Sequence, residues 1–217
     1  ISDPLAGAQV LATHTGLPAD LHDVQVWDAD GTAHVVAIAA TTDKGAHLSL
    51  LHVDEASFRV VQGTLPLDEA IVSCALEQHG SLAVLTRRHV LHTVSWRVTD
   101  DRLMLDEPHA VPLRPLEEAR LVYVSPSHLL MVVAVPGDAE RVRASALLWD
   151  TDLDAVLAVT EWSAQGAPQI STTRAMDGYV FVQLDPKASR AGKCTVAALP
   201  VSVPATGLLL HALGASS

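Results

Sequence analysis

The sequence predicts an all-β fold of antiparallel strands, on three observations. Its apolar segments are short and rich in Val, Leu, Ile and Ala; Gly, Pro, Asp or Ser stand at their boundaries; and the segments recur at a regular spacing. The chain has 217 residues, 49 % of them hydrophobic, enough to bury a substantial core.

Taken in order, the strand segments are 24–27, 33–40, 47–53, 58–61, 71–76, 81–86, 89–98, 120–124, 129–135, 144–149, 156–161, 178–184 and 194–203. That many strands exceed one ordinary sheet. Turn chemistry agrees: Asp28-Ala29-Asp30-Gly31 and Asp177-Gly178 put Asp and Gly where a hairpin needs positive φ. Only 116–120 and the Ala-rich tail after Pro204 admit a helical turn, so at most one short helix is expected.

Four segments, 48–54, 91–98, 146–150 and 195–201, read as the third strand of a four-stranded unit. Their centres lie roughly 45 to 50 residues apart, the blade length of WD40 and kelch propellers. The expected architecture is a WD40-like β-propeller across 1–217, with blades near 24–69, 70–118, 119–168 and 169–214. A ring of about seven blades is larger than this, so the chain supplies about four of them and leaves exposed blade edges. Trp27, Trp96 and Trp149 fall on strands of the repeat as structural blade residues, and Trp27 and Trp149 precede an Asp, the WD40 habit at a strand end.

The chain opens at Ile1 with no basic region leading into an apolar block, which reads as a piece of a longer protein without a secretory signal. The apolar runs 129–136 and 208–213 fall far short of the ~20 residues of a membrane span, so a soluble protein is expected. Cys74 and Cys194 show no metal or disulfide spacing and read as small core residues in a reducing compartment. A formal net charge of −11 favours protein partners over unaided wrapping of nucleic acid.

Signatures of chemistry are missing. The histidine pairs His47/His52 and His89/His92 have odd separations, which in a strand point to opposite faces and cannot easily grip one ion. Ser125, in Val124-Ser125-Pro126-Ser127, reads as a strand-ending turn and not a nucleophile elbow. Acidic pairs such as Asp54-Glu55 and Asp106-Glu107 fall between strands, and Asp150-Thr151-Asp152-Leu153-Asp154 lacks the Gly and closing Glu of a calcium loop. Phosphate-cradling glycine loops are absent. No catalytic residue, metal or cofactor is therefore expected. One basic loop, Asp185 to Lys193, carries Lys187, Arg190 and Lys193, which either touch RNA or a partner or keep a long hairpin loop solvated.

The stretch Ser145-Ala146-Leu147-Leu148-Trp149-Asp150-Thr151-Asp152-Leu153-Asp154-Ala155-Val156-Leu157-Ala158 resembles a strand pair late in the nucleolar propeller of the small-subunit processome, in the family of human nucleolar protein eleven and fungal U three protein eight. Gly178-Tyr179-Val180-Phe181-Val182, then a basic loop, Val196-Ala197-Ala198-Leu199-Pro200-Val201 and the segment Leu210 to Gly214 are similar to that family's later strands and closing segment, in order and spacing over 120–214. The resemblance implies a non-catalytic scaffold subunit of the UTP-A subcomplex, supporting early pre-18S rRNA processing and rDNA transcription. It also implies residence in the nucleus, in the nucleolus, with other propeller scaffold proteins and pre-rRNA as partners and no membrane. Two alternatives stand beside it: a WD40-like protein-interaction adaptor outside ribosome biogenesis, and a propeller hydrolase or lyase, for which the strand starts supply no ring of polar residues.

Overall fold

The computed structural model describes residues 20–29, 32–41, 45–53, 58–67, 69–77, 80–100, 102–115, 118–136, 141–165, 170–176, 179–184, 195–202 and 209–210, with side chains only between Val61 and Leu199. Every regular element among them is a strand: β1 (Asp20–Ala29), β2 (Thr32–Thr41), β3 (Gly45–Val53), β4 (Phe58–Leu65), β5 (Ile71–Glu77), β6 (Ser81–Thr86), β7 (Val90–Thr99), β8 (Arg102–Leu105), β9 (His109–Pro112), β10 (Glu118–Ser125), β11 (His128–Pro136), β12 (Arg141–Asp150), β13 (Ala155–Gln165), β14 (Ile170–Met176), β15 (Tyr179–Leu184), β16 (Thr195–Ser202) and β17 (Leu209–Leu210).

They form four antiparallel sheets in chain order: β1 to β4, β5 to β9, β10 to β13 and β14 to β17. The segments expected to be third strands are β3, β7, β12 and β16, and each is third in its sheet. In the second sheet β8 pairs with Trp96 to Thr99 and β9 with Val90 to Thr93, both antiparallel to β7. They are one outer strand interrupted at Asp106 to Pro108. Pro108 has no N–H to give the ladder, while Asp106 N still donates to Ser95 O at 3.0 Å.

The first strand of every sheet carries a register shift, at Leu21/Asp23, Ile71/Ser73, Tyr123/Ser125 and Ile170/Thr172. A bulge raises local twist and is common on an edge strand, which is the position all four occupy. These first strands are neighbours: β1 lies beside β5, β5 beside β10 and β10 beside β14. A buried hydrogen bond from Leu121 N to Ser73 Oγ, 3.1 Å, ties β10 to β5.

Successive sheets stack through apolar faces, and strand periodicity decides which residue meets which neighbour. On β11, Leu129, Met131 and Val133 pack towards the second sheet against Ala83, Leu85 and Leu91. The alternate residues Leu130, Val132 and Ala134 pack towards the fourth against Val180, Val182 and Leu199. On β6, Leu82 and Val84 join Val61 and Leu65 of the first sheet. Burial on both faces explains why these middle strands read as unbroken apolar runs.

Two local expectations are corrected. The helical turn at 116–120 is not formed: Glu118 to Arg120 open β10, because Ala119, Leu121 and Tyr123 bury at strand period in one core. Leu116 and Glu117 lie outside the described residues, as does most of the tail after Pro204, where Leu209–Leu210 is strand. The strand expected from 89 begins at Val90. His89 has φ 62°, and its N–H bonds Thr86 O at 3.0 Å, so it closes the hairpin turn and does not share a strand with His92. Among the described residues no helix is long and apolar enough to cross a membrane.

Candidate functional site

Among the described residues a polar cluster is built where two hairpin turns of the third sheet meet, beside the second sheet. The turn Ser125 to His128 joins β10 to β11, and Asp150 to Asp154 joins β12 to β13. Asp150 Oδ1 accepts from the backbone N–H of both Asp152 and Leu153 at 2.9 Å, and Asp154 completes the turn at φ 52°. This is why aspartates gather here: a short carboxylate satisfies turn N–H groups, and Asp tolerates the left-handed region. Thr151 then reaches across, donating both N–H and Oγ–H to Ser127 O at 2.8 and 3.0 Å.

His128 bridges the two turns. Its Nδ1 lies 2.6 Å from Ser125 Oγ and its Nε2 is 3.7 Å from Asp150 Oδ2. With the ring proton on Nε2 facing the carboxylate, Nδ1 accepts from the serine hydroxyl. The Ser-His-Asp sequence is that of a hydrolytic triad, but acyl transfer also needs free N–H donors converging near the nucleophile. The nearby N–H groups of Thr151, Asp152 and Leu153 are all spent within the turns. The cluster locks one end of the third sheet.

The lock extends to the second sheet. Ser81 Oγ donates to Pro126 O at 3.4 Å, and His109 Nε2 lies 3.4 Å from Asp154 Oδ2. Behind Ser81, Trp96 Nε1 donates to Ser81 O at 3.3 Å. Beneath the turns, Tyr123 is buried and its hydroxyl is held far above its ordinary pKa, first by burial and then by the charges of Glu77 and Asp152. Replacing Asp150 with Ala is expected to cost about 1–3 kcal/mol of stability, since two turn N–H groups lose their acceptor; urea unfolding of the variant measures it.

At the opposite end of β7, Arg88 Nη1 lies 3.6 Å from Glu69 Oε1, while Glu69 Oε2 and His92 Nδ1 are buried with no hydrogen-bond partner. Burial lowers the His92 pKa below 6.5, and Glu69 opposes the shift in part. The folded protein therefore resists protonation that the unfolded chain accepts. Stability from this site is complete above the unfolded pKa of 6.5 and is lost as pH falls from there towards the lower folded value. The melting temperature is expected to drop between pH 7.5 and 5.5, and His92→Gln to shrink that drop.

The remaining sequence-predicted positions are dispersed. Trp96 and Trp149 are buried, in the cores that the second sheet shares with the first and with the third. Trp27 lies on β1, and His47 and His52 on β3, with their side chains outside the described set. Lys187, Arg190, Lys193 and Cys194 lie outside the described residues; Cys74 is buried. The His128 lock escaped sequence reasoning. Its signal was Ser-x-x-His on one hairpin end and Trp-Asp-Thr-Asp on the next, legible only once the two turns are known to be adjacent.

The sequence matches no family model and no curated protein.

Proposed function

We propose that this chain supplies about four blades of a WD40-like β-propeller and works as a non-catalytic scaffold subunit of the small-subunit processome, supporting early pre-18S rRNA processing and rDNA transcription in the nucleolus. The observation that carries the reading is the ordered resemblance over 120–214 to the nucleolar protein eleven and U three protein eight family, whose quoted segments include stretches on β12, β13, β15 and β16. The propeller component draws support from four consecutive meander sheets, bulged first strands set side by side and apolar stacking of each sheet on the next. In this reading Trp96 and Trp149 are packing residues between blades. The loop with Lys187, Arg190 and Lys193, between β15 and β16, is the contact for RNA or a partner subunit.

Ultraviolet crosslinking of the protein in cells, with sequencing of bound RNA, tests the assignment. Reads concentrated on the 5′ external transcribed spacer of pre-rRNA are expected, reduced when Lys187, Arg190 and Lys193 are all changed to Glu. Reads spread over unrelated transcripts would contradict it. A WD40-like adaptor outside ribosome biogenesis is the second reading, favoured by the net charge of −11.

A further inference from the structure

The third sheet ends on an edge built to pair. Its last strand, β13, is hydrogen-bonded to β12 along one side, and among the described residues no strand pairs with the other. β17 of the fourth sheet comes near it but pairs with β16. An open edge presents a row of backbone N–H and C=O groups, and folded proteins protect such edges with short strands, proline or cationic residues. The other sheets carry these devices. The outer strand of the second sheet is two four-residue pieces interrupted at Pro108, that of the fourth has two residues, and β4 in the first contains Arg59. β13 has eleven residues and contains no Pro, Lys or Arg.

One bulge marks its start. Ala158 stands opposite Leu148 and Val156 opposite Trp149, which leaves Leu157 as the extra residue. Beyond it the ladder to β12 runs without a shift to Gln165, so the open edge over 158–165 is uninterrupted. Strand period sorts the side chains. Ala158 and Trp162 pack towards the fourth sheet, whereas Val159 and Glu161 are exposed. Leu153, Val156, Leu157 and Val159 are 70 %, 44 %, 41 % and 56 % exposed, so an apolar cluster stands at one end of the edge. The exposed charged residues of β13 and its leading turn, Asp152, Asp154 and Glu161, are all acidic. Asp154 faces His109, and Glu161 accepts from Ser145 Oγ at 3.4 Å. The exposed Arg143 of β12 stands opposite Ser163, towards the far end.

We propose that the free edge of β13 takes up an extended segment of a partner protein as an additional strand, with apolar side chains against Leu153, Val156, Leu157 and Val159 and Lys or Arg facing Asp152 and Glu161. In such strand addition the backbone hydrogen bonds supply affinity and the alternate side chains supply choice. The carboxylates of the edge select a basic strand and repel an acidic one.

The probe is a labelled peptide of alternating valine and lysine, matched in length to 158–165, and fluorescence anisotropy with the 217-residue chain is the measurement. Saturable binding is expected, with slowed amide hydrogen exchange confined to β13. Affinity should fall at least about tenfold in Val159→Lys, which sets a cation against those of the peptide; Glu161→Lys is the second variant should the first misfold. The same peptide N-methylated on alternate residues, which removes the donors along one edge, should not bind. Absence of saturable binding, unchanged affinity in the folded variants, or slowed exchange on another strand would overturn the proposal. Equal binding of the N-methylated peptide would also overturn it, since charge alone then draws the peptide to a chain of net charge −11. Equal binding of a valine–glutamate peptide would overturn the basic character assigned to the partner.

Discussion

Leu130→Ala is expected to lower the unfolding free energy by about 3–5 kcal/mol, the cost of a large cavity in a core that cannot collapse. Leu130 is wholly buried on the face of β11 that meets the fourth sheet, among Ala146, Leu148, Val180, Val182 and Leu199. Rigid strands on both sides keep the space from closing. Urea unfolding should show a lower midpoint at an unchanged m-value. A loss below about 1 kcal/mol would mean that the third and fourth sheets do not pack as described, because an exposed leucine costs little to truncate.

Gly80→Ala should cost about 2–4 kcal/mol, through the backbone alone. Gly80 has φ +113°, where a side chain is strained, by about 1–3 kcal/mol for an ordinary residue. A Cβ there would also stand 2.7 Å from Trp96 O. That oxygen cannot retreat easily, because Trp96 N donates to Gly80 O at 2.7 Å and fixes the two strands together. The contrast is Gly63→Ala, whose close contacts are all with one side chain and none with backbone: Leu103 Cδ2 at 2.9 Å and its Cβ and Cγ at 3.1 Å. It should lose less than half as much. Equal losses at both glycines would contradict the backbone explanation.

The strands most legible in the sequence are those buried on both faces. β6 and β11 are runs of Val, Leu and Ala whose identity as strands did not depend on seeing their neighbours. β14 was missed because Ser171, Thr172, Thr173 and Arg174 give it too little apolar content to stand out. β9 was missed because Pro108 looks like the end of a strand and is in fact an interruption in one. At His89 a histidine beside a strand reads as part of it, and only the φ of the turn separates them. Sites fared worse than strands. The acidic run Asp150 to Asp154 reads in the sequence only as a loop, and its role in capping the turn and pairing with His128 depends on a contact across 22 positions, Asp150 to His128. Sequence spacing carries no distance between two hairpin ends. The basic loop remains a proposal drawn from charge, since Lys187, Arg190 and Lys193 lie outside the described residues.

Affinity purification of the tagged full-length protein from cells, with mass spectrometry of what it retains, bears most directly on the scaffold assignment. Recovery of other propeller subunits of the small-subunit processome, retained after nuclease treatment, is expected if the chain is a protein-binding blade set within that assembly. Recovery of a different stable complex, with none of those subunits in it, would remove the ribosome-biogenesis assignment and leave an all-β protein of antiparallel sheets.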